Sequence, residues 1–295
     1  MTRPGSILGN AVRRVEDPDL LLGRATFVDD LDIPGVLHLV FVRSTLAHAG
    51  VRAVDTAEAA DMPGVVGVFG AADLDVPVAP GLMVLNPDFA RPPLARGKVR
   101  FVGDMVAAVV AESRAAAVDA AELVVVDYEP LPAVVDPEAA TEPGAPLQFE
   151  ALGTNVAAGS REAGDDDPLA GADVVVRGRF ENQRMAVVPM EGNAVAVVPG
   201  DATTGNGGAG HELTVYVATQ MPHGWRNQLV EMFGLDPARL RVVAPHVGGA
   251  FGGKAGVAPE HAVAVAVARH LGRAVKWVES RSENLVAMPH GRGQV

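Results

Sequence analysis

Hydrophobic residues in the first half of the chain fall into short runs bounded by Gly, Pro and Asp, the pattern of strands closed by turns. "VLHLVFVRS" and "VVGVF" read as strands, "VRFVGDMVAAVVA" as two strands turning at Gly103-Asp104, and "LVVVDYEP" as another. Between the last two lies "ESRAAAVDAAE", an Ala-rich helix whose first free amides can donate to the Ser113 hydroxyl. Strand and helix signals thus mix into an α+β unit, which we bound at residues 20–136. Residues 137–168 are rich in Pro, Gly, Ala and acids without a sustained period, and read as a linker or a long wrapped connection.

A second unit, 169–295, restarts with "ADVVVRGRFENQRM" and "NAVAVVP", followed by the strand "LTVYVATQ". The next helix is opened by Pro222 and closed by Gly234, with Trp225, Leu229, Met232 and Phe233 on one face; that stripe reads as core packing. Asp236-Pro237 caps a short turn before the strand "LRVV". After a glycine-rich stretch, a helix runs from Pro259-Glu260 to Arg269-His270, before Gly272. It is apolar nearly all round, as a helix buried on several sides is. The last segment, "AVKWVESRSENLVAMPHGRGQV", begins as a strand and shows no closing element, which suggests a fragment or a split subunit.

Composition narrows the function. With 295 residues the chain has ample length for two cores. A net charge of −12 argues against a nucleic-acid partner, because neutralising phosphates needs clustered Lys and Arg. Apolar stretches such as "MVAAVVA" are too short to span a bilayer, and Arg13-Arg14 is followed by acids rather than the apolar core of a signal, so a cytoplasmic protein with no membrane partner is expected. Cys is absent, so disulfides, thiolate nucleophiles and Cys-ligated iron–sulfur clusters cannot reside in this chain, and any such redox centre belongs to another polypeptide. The eight His residues never fall at the i, i+4 spacing of a helical zinc pair.

The candidate chemistry lies in "APHVGGAFGGKAG", residues 244–256, between a strand and a helix. Gly248, Gly253 and Lys254 fit G-x-x-x-x-G-K, but Ala255 stands where a phosphate loop needs a hydroxyl for Mg²⁺. This argues against nucleotide hydrolysis, though a nucleotide binder using Lys254 stays as an alternative. Gly205, Gly207 and Gly210 spell G-x-G-x-x-G literally but lack the preceding strand and following helix that dinucleotide binding demands, so they read as a hairpin loop.

Several ordered stretches resemble the molybdopterin-binding large subunit of the xanthine dehydrogenase, aldehyde oxidase and carbon monoxide dehydrogenase family. "GRATFVDDLDIPGVLHLVFVRSTLAHAGV", "MPGVVGVFGAADL" and "VRFVGDMVAAVVAESRAAAVDAAELVVVDYEPLPAVVD" are similar to its a/b hammerhead domain. "VVPMEGNAVAV", "ATQMPH", "LRVVAPHVGGAFGGK" and "GRAVKWVESRSEN" are similar to the opening part of its molybdopterin-binding α+β domain. The resemblance implies that the glycine turn underlies a molybdenum-pterin cofactor, with or without a cytosine dinucleotide extension. It assigns cofactor contacts to Gln220, Gly248, Gly249, Phe251 and Gly252, the Phe251–Gly252 amides and the Gln220 side chain donating toward the metal's oxo group. Glycine would let the backbone approach the ligand, and a Gln amide donates without charge. The plain alternative is a tight strand-to-helix turn beside a solvent-facing Gln220.

The same resemblance implies a small-molecule substrate and iron–sulfur and FAD subunits in the same complex. It assigns no catalytic residue and no metal ligand here: the family's glutamate base lies further along its order than residue 295, and Glu191 does not match it. The chain alone is expected to be inactive. Purine-oxidising members carry an acid where Ala255 stands, which turns the expectation toward aldehydes or aromatic heterocycles, while carbon monoxide oxidation stays open. Ala250 replaces a commoner Gly, which a turn with negative φ there would tolerate. A non-catalytic scaffold completed by a second chain is the competing reading.

Overall fold

The computed structural model describes residues 9, 11–80, 85–159, 167, 169–200 and 211–295. The glycines at 205, 207 and 210 lie outside the described residues. After a helical turn α1 (Asp17–Leu21), the first half forms β1 (Leu37–Arg43), β2 (Ala49–Asp55), α2 (Ala57–Ala60), β3 (Val65–Phe69), β4 (Lys98–Val99), β5 (Met105–Ala111), α3 (Arg114–Glu122) and β6 (Val125–Pro130). The second half forms β7 (Ala194–Pro199), β8 (Leu213–Val217), α4 (Pro222–Phe233), β9 (Leu240–Val243), α5 (Pro259–Leu271), β10 (Val275–Val278) and α6 (Arg281–Ala287). The fold is α+β, as the pattern predicts.

Most apolar runs become the strands expected of them, and the caps fall where the sequence places them. Ser113 Oγ accepts Ala116 N–H at 3.1 Å, and Gly234 and Gly272 end α4 and α5 in the left-handed region. Two elements escaped the pattern. In β2 only Ala49 is fully buried, so its apolar alternation is faint. Helix α6 is announced only by Ser280 and Glu283, which exchange side-chain and backbone hydrogen bonds as a capping box.

The turn at Gly103-Asp104 exists, but the runs on either side of it do not pair with each other. β4 joins β2 and β6 in a three-stranded sheet, whereas β5 lies between β3 and β1 in a seven-stranded one. The chain is turned between sheets by buried Asp104, which accepts Arg91 Nη1 at 2.8 Å and Arg100 N–H at 3.0 Å. The connection after β6 wraps back: Phe149 sits edge-on to Phe89 with centroids 5.2 Å apart, under the Arg100 guanidinium. Residues 172–185, with their run of valines, form only isolated bridges, Asn182 to Gln294 and Met185 to Gly291.

The large sheet has the order β3-β5-β1-β10-β7-β8-β9. Its central pair is β1 with β10, parallel, Leu37 opposite Val275, so the two halves of the sequence share one sheet. Helix α5 packs across β7 and β10, burying Glu260 through Ala268 continuously. Beneath it Trp225, Trp277, Leu37 and Leu229 form the centre of the core. Inside that core His261 Nδ1 accepts both Ala258 N–H at 3.1 Å and Trp225 Nε1–H at 3.3 Å. Among the described residues no helix is long and apolar enough to cross a membrane.

Candidate functional site

β8 and β9 are parallel neighbours joined through α4, and a parallel pair presents ligands at its carboxyl ends. Gln220 follows the end of β8 and the glycine turn follows the end of β9, so the fold delivers both to one edge. They touch: Gly252 N–H donates to Gln220 Oε1 at 3.0 Å, and Gln220 N–H donates to Lys254 O at 3.1 Å. Thr219 Oγ1, buried, donates to the same Lys254 carbonyl at 3.1 Å. Within the turn Gly253 N–H donates to Ala250 O at 2.8 Å.

The expected donors are not equivalent. The Gly252 N–H is occupied by Gln220, and because an N–H needs an acceptor, the carboxamide oxygen faces the turn. That leaves the Gln220 Nε2 hydrogens for another acceptor. Phe251 is exposed with φ +50, a left-handed conformation rare for a non-glycine residue and a mark of strain at a candidate site. Ala250 stays out of the left-handed region, so its methyl is tolerated. Gly249 lies beneath the Phe251 ring with φ +92.

Glycine serves two distinct purposes here. At Gly252, φ is +90 and nothing lies within 4 Å of where a Cβ would stand, so the backbone is open to an approaching ligand atom. At Gly248 a Cβ would meet the Glu191 Cβ at 2.6 Å, so that glycine packs against the protein. We expect Gly252→Ala to destabilise through backbone strain alone, by about 1–3 kcal/mol, and Gly248→Ala by a similar amount through overpacking. Only the Gly248 loss should shrink when Glu191 is replaced by Gly, which removes the Cβ that the new methyl would meet; equal behaviour of both in chemical denaturation would refute this division.

Lys254 does not serve as a phosphate-loop lysine. Its side chain is buried, and Nζ lies 2.9 Å from Glu191 Oε2, which also accepts Gly248 N–H at 2.7 Å. Burial pushes the Lys254 ammonium below the usual lysine range, while Glu191 opposes that shift. Beside this pair Glu279, raised by burial, accepts Asn193 N–H at 2.7 Å and Asn284 Nδ2 at 2.8 Å. The nucleotide-binding alternative therefore loses its cation. Sequence reading missed the Glu191–Lys254 contact, which spans 63 positions and carries no local signal.

The turn is an open surface, with Gln220, Phe251 and Gly252 all exposed. A neighbouring cleft of ≈ 680 Å³ is lined by Pro222, His223, Arg226 and Arg241 rather than by these three. Neutral donors beside an open backbone position fit a cofactor whose oxygen accepts hydrogen bonds and whose metal is ligated by its own organic part.

The parallel strand pair brings Gln220 and the glycine turn to one exposed edge of an α+β chain. Residues 22–132 match the family model described as aldehyde oxidase and xanthine dehydrogenase, a/b hammerhead domain, and residues 149–295 match the molybdopterin cofactor-binding domain. The chain belongs to the xanthine dehydrogenase, aldehyde oxidase and carbon monoxide dehydrogenase family, and matches part of its molybdopterin-binding large subunit. It is 37% identical to the nicotine 6-hydroxylase large subunit of Paenarthrobacter nicotinovorans, over 98% of this chain and 35% of that one. It is 39% identical to the carbon monoxide dehydrogenase large chain of Afipia carboxidovorans, over 94% and 35%. The solved quinoline 2-oxidoreductase of Pseudomonas putida 86 superposes with a TM-score of 0.85 at 37% identity, over 96% of this chain and 36% of that one. The chain thus spans about a third of the length of these relatives. The cofactor of the matched domain is of the molybdopterin type.

Proposed function

We propose that this chain forms one wall of the molybdenum-pterin pocket in a hydroxylase that oxidises an aromatic heterocycle with water-derived oxygen. The observation that carries the reading is the contact between Gln220 and Gly252, which occupies the carboxamide oxygen and leaves the two Nε2 hydrogens of a neutral amide beside a backbone position with no atom within 4 Å of where a Cβ would stand. When bound, the cofactor supplies oxygen transfer and two-electron redox chemistry. Gln220 Nε2 and Phe251 N–H would donate to an oxygen of the cofactor, beside the exposed Phe251 ring. Glu191, turned into the fold against Lys254, takes no part as a base.

Hydrogen bonds to a charged acceptor contribute about 1.5–3 kcal/mol each. Two of them orient a cofactor but do not offset the loss of its translational freedom. The remaining grip and the base come from outside these residues, and the chain alone is inactive. Ala255 in place of an acid supports a substrate other than a purine, and two of the relatives are named for nicotine and quinoline, both heteroaromatic. Electrons pass to iron–sulfur and FAD subunits of the same cytoplasmic complex, a division of labour that the absence of Cys from this chain supports.

The test is expression together with the neighbouring reading frames in a host that makes the cofactor, followed by molybdenum analysis and dye-linked oxidation of quinoline, benzaldehyde and carbon monoxide. Molybdenum bound in the assembly, with quinoline preferred, is the expected result. Gln220→Ala should lower turnover about 10²-fold, the usual effect of removing one preorganised donor, with little change in melting temperature because Gln220 is exposed. An assembly that carries no molybdenum sinks the reading.

A further inference from the structure

Lys254 and Glu191 join the two parts of this seat from below. Lys254 offers its carbonyl to Gln220 N–H and Thr219 Oγ1, each at 3.1 Å, and its ammonium to Glu191 Oε2 at 2.9 Å. Glu191 in turn receives Gly248 N–H at 2.7 Å, and its own N–H donates to Gly248 O at 3.1 Å. The turn then runs from Gly248 to Gly252, whose N–H returns to Gln220 Oε1. These contacts close a ring: Gln220, Lys254, Glu191, Gly248, Gly252 and Gln220 again.

The ring contains an expense that packing alone does not explain. The Lys254 side chain is 0% exposed and that of Glu191 15%, and Glu191 Oε1 is buried without a hydrogen-bond partner. Taking both charges out of water costs more than their attraction commonly returns, and apolar residues of similar volume often fill such a place with equal or greater stability. What an apolar pair cannot do is accept Gly248 N–H and fix the register of the turn against β8. Resting on the molybdenum-pocket reading, we propose that Glu191 and Lys254 are positioning residues whose ion pair sets the distance between Gln220 and the Gly248–Gly252 turn, and so determines whether the seat retains the cofactor.

The experiment compares wild type, Glu191→Gln and the double variant E191M/K254M in the co-expressed complex. It reads thermal midpoint, hydrogen exchange of peptides covering 245–254 and 217–222, and molybdenum per chain. The double variant should melt within a few degrees of wild type, exchange the turn amides at least tenfold faster and retain several-fold less molybdenum. Wild-type exchange and molybdenum content in a folded double variant would overturn the proposal, leaving the pair as filler. If the double variant does not fold, Glu191→Gln decides, since it keeps the shape and an acceptor for Gly248 N–H but removes the charge. Faster exchange of the turn together with lower molybdenum supports the proposal, and no change overturns it. A wild-type complex without molybdenum whose variants still loosen the turn would overturn the cofactor reading and with it the link to retention, while leaving the ring's mechanical role standing.

Discussion

Replacing Arg43 by Met should destabilise the fold by about 3–5 kcal/mol, the usual consequence of stranding buried charges. Arg43 lies at the end of β1 with its side chain 9% exposed. Nη1 donates to Glu260 Oε1 at 3.0 Å and to Gly103 O at 2.9 Å, and Nε donates to Glu283 Oε1 at 3.0 Å. Burial alone would lower the guanidinium's proton affinity, but Glu260 and Glu283 outweigh it and raise the pKa above the ordinary value. One side chain therefore ties β1 to the first turn of α5 and the first turn of α6, across 217 and 240 positions of sequence. Met fills the volume but leaves two partly buried carboxylates facing each other. Lys should rescue only part of the loss, since a single ammonium cannot reproduce the forked geometry. Chemical denaturation monitored by tryptophan fluorescence measures this; a loss below about 1 kcal/mol, the ordinary size for an exposed pair, would show that the network is not a structural tie.

A second large effect is acid sensitivity through His261. Desolvation, with a smaller contribution from Lys254, pushes its pKa from 6.5 down to about 3. The ring is neutral in the folded state and accepts two N–H groups at Nδ1, so protonation would break both bonds. Because the folded pKa lies below the unfolded one, the unfolded chain binds more protons between those values, and stability falls as pH drops from about 6.5 toward 3. The loss amounts to about 1.4 kcal/mol per pH unit within that window, or roughly 2 kcal/mol between pH 7 and pH 5. Asp104 and Glu279, both raised by burial, act in the opposite sense as carboxylates titrate at the acid end. His261→Gln, which keeps an acceptor but does not titrate, should flatten the dependence between pH 7 and pH 5 while lowering stability at pH 7. Denaturation curves at the two values that give the same slope for both proteins would remove His261 as the cause.

Much of the local structure follows from residues within one turn or one strand of each other. The alternation in "VLHLVFVRS", Ser113 before an Ala-rich run, Pro222 and Gly234 bracketing α4, and the apolar circumference of α5 each act over a few positions, and each produced the predicted element. The glycine turn stood out because glycines between a strand and a helix are a local feature as well, whereas Gln220 was pointed to only by the family resemblance. β2 and α6 were faint for the converse reason: small or half-exposed residues leave little periodic signal, and their formation depends on neighbours in space.

By itself, then, the sequence determined the secondary structure of most segments and the α+β class, because propensity, capping and periodicity are short-range interactions, while residues 220 and 248–252 came under suspicion through the resemblance of ordered motifs to a known family. Only the tertiary structure decided that β1 pairs with β10, that β4 and β5 enter different sheets, that Gly252 N–H donates to Gln220 Oε1, and that Lys254 faces Glu191. Those contacts join residues 32 to 238 positions apart. They are selected by the free energy of burying and pairing whole surfaces, a quantity to which no short window of sequence has access.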